Sequence, residues 1–153
     1  MNTAAENKAV ARRFLEELIS EDKQELIDEL VAQDYVYRHA DGHTYHGRSG
    51  FREVLGLYRR AFPDLSIEIH RQVAEGDTVA TWFTFSGTHR GQLQGIEPTG
   101  EKMSAMSVQF STIEDGQVTE EFDLVDQFTM LDELGAIHIQ QSPDGERPAA
   151  SPG

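Results

Sequence analysis

The chain contains no cysteine, so disulfide staples and thiolate chemistry are excluded from the outset. Positive charge is also scarce: 13 Lys and Arg stand against 27 Asp and Glu, a formal charge of −14 over 153 residues. Such a balance repels polyphosphate and weakens the counterion release that drives nucleic-acid binding, so neither nucleic acid nor an anionic membrane is expected as a partner. No apolar run approaches the length of a spanning helix, and the opening MNTAAENKAVARRF lacks an apolar signal core. These absences describe a soluble cytoplasmic protein, and the length suits one domain with a core of its own. The acidic excess fits a salt-adapted source or simple solubility.

What is present is periodic. Val10, Phe14, Leu15, Leu18 and Ile19 recur at helical spacing. Asp22 followed by Glu25 reads as a capping box for a second, short helix with Leu26, Ile27, Leu30 and Val31 inward. DYVYRH (34–39) is strand-like and DGHTYHGRSG (41–50) reads as a loop. The stripe Phe51, Val54, Leu55, Tyr58 and Phe62 predicts a third helix, stopped by Pro63-Asp64. From Leu65 the period falls to two. LSIEIHRQVA, TVATWFTFSGTH, KMSAMSVQFSTI and QVTEEFDLVDQ predict four strands, with tight hairpins at Glu75-Gly76-Asp77 and Glu114-Asp115-Gly116. The link RGQLQGIEPTGE is longer than a hairpin needs and suits a cover over a cavity mouth. FTMLDELGAI predicts a short last helix, with Asp126 as its N-cap. Residues 1–137 therefore form a single domain, and 138–153, rich in Pro, Ser and Gly, form a disordered tail.

Helices followed by an antiparallel meander indicate an α+β fold: a curved, mostly antiparallel sheet wrapped around three N-terminal helices. Such a sheet makes a cone. Three short helices cannot fill its concave side, and the remaining apolar space is a natural small-molecule pocket.

TEEFDLVDQ (119–127) carries four carboxylates on an expected strand, where alternation puts Glu121, Asp123 and Val125 on one face and Glu120, Phe122 and Leu124 on the other. Asp is disfavoured in strands, so Asp123 is either wet, as its acidic neighbours Glu120 and Glu121 suggest, or useful. Trp82 points opposite to Phe83 and Phe85, and ordinary core is the plain reading of all three. HADGHTYH (39–46) gathers His39, Asp41, His43 and His46, ligand types for zinc or iron. That spacing lies in a loop without a rigid element and matches no standard site, so no metal is expected. Arg59-Arg60 reads as a solvated helix face or a subunit contact.

GTHRGQLQGIEPTGEK (87–102), with AFPDL (61–65), AEGDTVA (74–80), IEDGQV (113–118) and FDLVDQFTMLDELGAI (122–137), resembles the SnoaL-like polyketide cyclases, or ester cyclases, of the nuclear-transport-factor-2-like superfamily. The likeness runs from Asn7 to Ile137, and GTH followed by GIxPTG is its most specific part. The resemblance implies a cone-shaped α+β barrel, a homodimer and an apolar, carbonyl-containing small molecule as ligand. It implies ring closure by intramolecular aldol condensation without metal or organic cofactor, one strand Asp serving as acid and base. Counted from the Asp115-Gly116 hairpin, that Asp is Asp123.

Two other pocket positions of the family depart. An Asn after the second helix is Tyr37 here, and a His on the preceding strand is Gln109. Tyr37 is able to donate a hydrogen bond to a developing enolate; Gln109 can orient a carbonyl but carries no proton at neutral pH. His89 and Trp82 complete the set of candidate substrate contacts, although His89 is better suited to fixing the long link. Two alternatives remain: a non-catalytic ligand-binding or dimerisation module of the same fold, and an enzyme resembling epoxide hydrolases or ketosteroid isomerases. No Arg stands two residues from an Asp on a predicted strand, and the first helix has no Tyr, which disfavours the latter pair. A dry pocket of ~300–1,000 Å³ with Asp123 in its wall is the mark that separates an enzyme from a filled module.

Overall fold

A computed structural model describes residues 2–138. The N-terminal stripe forms α1 (Ala4–Arg13), which Thr3 opens with a capping box: its side chain accepts the Glu6 N–H, and Glu6 accepts the Thr3 N–H. The helix continues as a π-helical segment, Phe14–Ser20, that turns Phe14, Leu15 and Ile19 toward the concave side of the sheet. The capping box expected at Asp22 does not form. Asp22 lies in the left-handed region at φ 57°, a backbone no N-cap adopts, and the chain runs on as a 3₁₀ turn (Gln24–Leu26) and a single α turn, α2 (Ile27–Leu30). Arg59 fixes this corner. Its guanidinium donates to the carbonyls of Ile19 and Ser20 at the end of the π-helical segment and lies 3.8 Å from Asp22, so Arg59 is a clamp and not a solvated face.

The remaining elements are β1 (Val31–His39), β2 (Thr44–His46), α3 (Gly47–Ala61), β3 (Ser66–Glu75), β4 (Thr78–Thr88), β5 (Lys102–Glu114), β6 (Gln117–Val125) and α4 (Gln127–Glu133). They build one open sheet in the order β2-β1-β6-β5-β4-β3, antiparallel throughout except that β1 runs parallel to β6. The expected cone, α+β and mostly antiparallel, is the fold observed. The segment 41–50 is not a loop: Tyr45 pairs with Tyr37 across β1–β2 and stacks near it, ring centroids 5.9 Å apart. Gly50 lets α3 start so early, since a Cβ there would stand 3.0 Å from the Tyr45 backbone. Both two-residue hairpins occur, with Gly76, Asp115 and Gly116 at positive φ.

The helices bury their apolar faces in the cone. Phe51 packs between Phe14 and Tyr35, at 5.3 Å and, edge-on, 5.6 Å. Truncating such a ring costs ~3–5 kcal/mol. The long link after β4 is tied at both ends: Arg90 and Gly91 donate to the Ala61 carbonyl, and the N–H groups of His89 and Gly100 donate to the carbonyls of Glu101 and His89. The His89 ring, fully buried against Phe62, accepts the Thr99 N–H at Nδ1. Asp126 caps α4, its carboxylate accepting both the Thr129 N–H and hydroxyl. No described helix is long and apolar enough to cross a membrane. The expected tail lies, from residue 139 on, outside the described residues.

Candidate active site

Alternation on β1 and β6 decides which side chains enter the cone. Tyr35, Tyr37 and His39 from β1, and Glu121 and Asp123 from β6, all face inward and are buried. In the parallel register Tyr37 lies beside Glu121 and His39 beside Asp123. The tyrosine hydroxyls find their own carboxylates on β6. Tyr37 donates its hydroxyl proton to Asp123 Oδ1 at 2.7 Å, and Tyr35 donates to Glu121 Oε1 at 3.3 Å. Asp123 is not wet: it is 9 % exposed, and Glu121 is fully buried, contrary to the solvated role its acidity suggested. Alternation already placed Glu121 on the face of Asp123, so burying one implied burying the other.

Burial is the main influence on all four groups. It raises the Asp123 carboxyl above its ordinary value of 3.8, while the Tyr37 hydrogen bond and the nearby His39 act the other way. Glu121 is held well above 4.5 by burial and by the charge of Asp123, only partly offset by Tyr35. The hydroxyls of Tyr35 and Tyr37 are pushed up by burial and by the same carboxylates, so both stay protonated and serve as donors.

These groups line two adjoining hollows. The inner cavity, about 90 Å³, has walls of Phe14, Leu55, Phe83 and Phe85 with a polar strip of Ser107, Gln109, Glu121 and Asp123. Three atoms of that strip lack any partner: Ser107 Oγ, Gln109 Oε1 and Glu121 Oε2. A buried polar atom without a partner costs roughly 1–3 kcal/mol, so the strip is prepared for a guest that offers hydrogen bonds. The outer hollow, about 510 Å³, is bounded by His39, Asp41, His43, Tyr45, Leu57 and the long link at Gln92, Leu93 and Gln94. The link does border a cavity mouth, as its length suggested. Tyr37, Val54 and Tyr58 line both hollows and form the wall between them. The pocket of ~300–1,000 Å³ expected from the sequence is therefore divided, with Asp123 in the smaller part.

The structure brings Asp123, Tyr37 and Gln109 together: Gln109 is the cross-strand partner of Asp123 on β5. It does not bring Trp82 or His89 to either hollow. Trp82 lies on the outer face of β4, beside His70 at 4.8 Å, and His89 is spent on the link. Tyr37 is engaged with Asp123, which replaces the expectation that its proton awaits an enolate. The segment 39–46 differs from the flexible loop expected: Asp41 Oδ1 stands 2.9 Å from both His39 Nδ1 and His43 Nδ1 and accepts the His43 N–H. Among the described residues no group of three or more His, Asp or Glu is arranged to hold a metal ion. Neither hollow is lined by an Arg or Lys.

Comparison with known proteins shows the family and the fold. The family model described as SnoaL-like polyketide cyclase matches residues 9–134. The chain belongs to the SnoaL-like polyketide cyclase family. The nogalonic acid methyl ester cyclase of Streptomyces nogalater is 29 % identical over 111 residues, 71 % of this chain and 83 % of that one. TsrD from Streptomyces laurentii superimposes with a TM-score of 0.79 at 26 % identity, over 90 % of this chain and 100 % of its own. A SnoaL-like protein from Jannaschia sp. CCS1 gives 0.82 at 19 % identity, over 90 % and 96 %, and shows the fold alone.

Proposed function

We propose that this SnoaL-like protein closes a ring in a carbonyl-rich small molecule by intramolecular aldol condensation, with Asp123 as the base. The observation that carries the reading is a carboxylate in the wall of an apolar cavity, one oxygen held by the Tyr37 hydroxyl. Desolvation makes that carboxylate a stronger base than one in water, and the Tyr37 bond keeps it ionised enough to act.

In the reaction Asp123 takes a proton from a carbon flanked by carbonyls, and the C–H electron pair passes onto oxygen as an enolate. The enolate carbon then attacks a second carbonyl carbon of the same molecule. One C–C bond forms, the attacked carbonyl becomes an alkoxide, and a proton completes the hydroxyl. Substrate and product are isomers, so nothing is oxidised or released. Acid-base catalysis of this kind contributes ~10²–10⁴-fold, and holding the two reacting carbons together supplies much of the remainder. Ser107 Oγ, unpartnered at the cavity wall, is able to donate to a substrate carbonyl, and Glu121, whose carboxyl burial holds well above its ordinary value, offers a second proton donor. The inner cavity has room for one ring edge, so the body of a polycyclic substrate occupies the outer hollow.

A purified enzyme is offered a panel headed by nogalonic acid methyl ester, the substrate in the name of the S. nogalater relative. Ring closure by the wild type and its loss in Asp123→Asn are the expected results. Turnover unchanged in Asp123→Asn would exclude Asp123 as base, and ligand binding without turnover of any member would favour the non-catalytic module. Epoxide hydrolysis has no Arg or Lys to rely on in either hollow.

A further inference from the structure

We propose that His39, held in place by Asp41, is a second acid–base residue of the site, which delivers the proton to the alkoxide while Asp123 removes the one from carbon. The inference rests on the aldol reading and deepens it.

The sequence offers His39 only as one of four scattered metal-ligand types, and the fold gives it a different setting. It is the last residue of β1, 7 % exposed, beside Asp123 in the parallel register. Its Nδ1 lies 2.9 Å from Asp41 Oδ1. Asp41 is ionised across the working range, its carboxyl lowered to about 2 chiefly by the His43 backbone N–H, with the two imidazoles adding to this. Nδ1 is thus engaged by Asp41, through its carboxylate and, at 3.3 Å, through its backbone N–H, and Nε2 is left for chemistry. The hydrogen bond on one ring nitrogen thereby sets the role of the other.

Location divides the labour. Asp123 lines the inner cavity, His39 the outer hollow, and Tyr37 stands in the wall that the two share. A substrate threaded past Tyr37 puts its acidic carbon against Asp123 and the carbonyl oxygen under attack nearer the mouth, against His39. His39 gives that oxygen its proton from Nε2 as the C–C bond forms. Asp123, now carrying the carbon's proton, passes it back to His39 after the product leaves, and the cycle closes without net change. The charged or titratable groups facing His39 are Asp41 and His43 on its own hairpin, Tyr37 on β1, Tyr45 on β2, Tyr58 on α3 and Asp123 on β6. Tyr58, raised by burial first and then by Asp123, stays neutral and competes for no proton.

Steady-state kcat and KM for wild type, His39→Gln, Asp41→Asn and Asp123→Asn test the assignment. His39→Gln should lower kcat by roughly 10²-fold with KM little changed. Asp41→Asn should lower it less. His39→Ala should regain turnover with added imidazole, which the outer hollow admits; a merely structural histidine shows no such rescue. An inactive Asp123→Asn beside a His39→Gln of full activity would overturn this inference alone. An active Asp123→Asn would overturn both this inference and the aldol reading.

Discussion

Tyr37 and Asp123, 86 residues apart in sequence, meet at 2.7 Å across two parallel neighbouring strands, and this bond sets how easily the carboxylate ionises. Burial alone drives Asp123 toward its neutral form; the phenol is what holds it back. Tyr37→Phe removes the donor and leaves the cavity wall intact. The folded-state pKa of Asp123 then rises further, so the acid limb of kcat/KM moves to higher pH. A hydrogen bond to a charged group is worth about 1.5 kcal/mol or more, so turnover at neutral pH should fall by about tenfold or more. A pH–rate profile in which the limb stays in place would show that Tyr37 does not control the base.

Glu121 carries a stability cost of its own at neutral pH. Its folded pKa lies well above the ordinary 4.5, so the native state binds a proton that the unfolded chain releases. Stability from this group is fully present below the unfolded value and is lost as pH rises through the raised one. Glu121→Gln has the same shape, keeps an acceptor for Tyr35 and has nothing to ionise. Thermal unfolding across pH should therefore find the variant more stable than wild type at neutral and alkaline pH. The difference should close as the pH is brought to about 4. Equal shifts at every pH would mean that the carboxyl does not titrate in this window.

Much of this was legible in the sequence because period-two alternation is a local signal. The four long strands, the two hairpins, the Asp126 cap and the shared face of Glu121 and Asp123 all follow from residues within a few positions of one another. What stayed hidden depends on partners far along the chain. The parallel pairing of β1 with β6 brings Tyr35 to Glu121 and His39 to Asp123, and no spacing within either strand announces it. The same holds for Arg59, whose charge suggested solvent until the free carbonyls of Ile19 and Ser20 were beside it. Asp22 misled because an Asp three residues before a Glu looks the same whether its φ is negative or, as here, 57°.

The outer face of the sheet is where the homodimer that the family resemblance implies can be tested. Trp82, Val108, Phe110, Phe122 and Leu124 stand exposed on adjacent strands, Phe110 opposite Phe122 and Val108 opposite Leu124. In so acidic a chain, a band of aromatic and aliphatic side chains without a charge among them has the composition of an interface core. Light scattering should give twice the chain mass. Phe110→Glu with Leu124→Glu sets carboxylates against carboxylates across such a contact and should yield a monomer of unchanged far-ultraviolet circular dichroism. A wild type that scatters as a monomer would refute the dimer.

Gly91 tests the link at the cavity mouth. Its N–H shares the Ala61 carbonyl with Arg90, which draws the backbone so close to α3 that a Cβ would overlap the Arg60 carbonyl. Both sides of that clash are main chain, so neither can swing away as a long side chain would. Gly91→Ala must move the link, and overpacking of this kind costs ~1–3 kcal/mol. The residues displaced next are Gln92, Leu93 and Gln94, which border the outer hollow, whereas Asp123 and Tyr37 sit on β6 and β1, paired with each other and away from the link's anchor on Ala61. The variant should accordingly show a lower Tm and a raised KM with kcat largely kept. A fall in kcat at constant KM would mean that the link acts on the chemistry and not on the binding of the substrate's outer part.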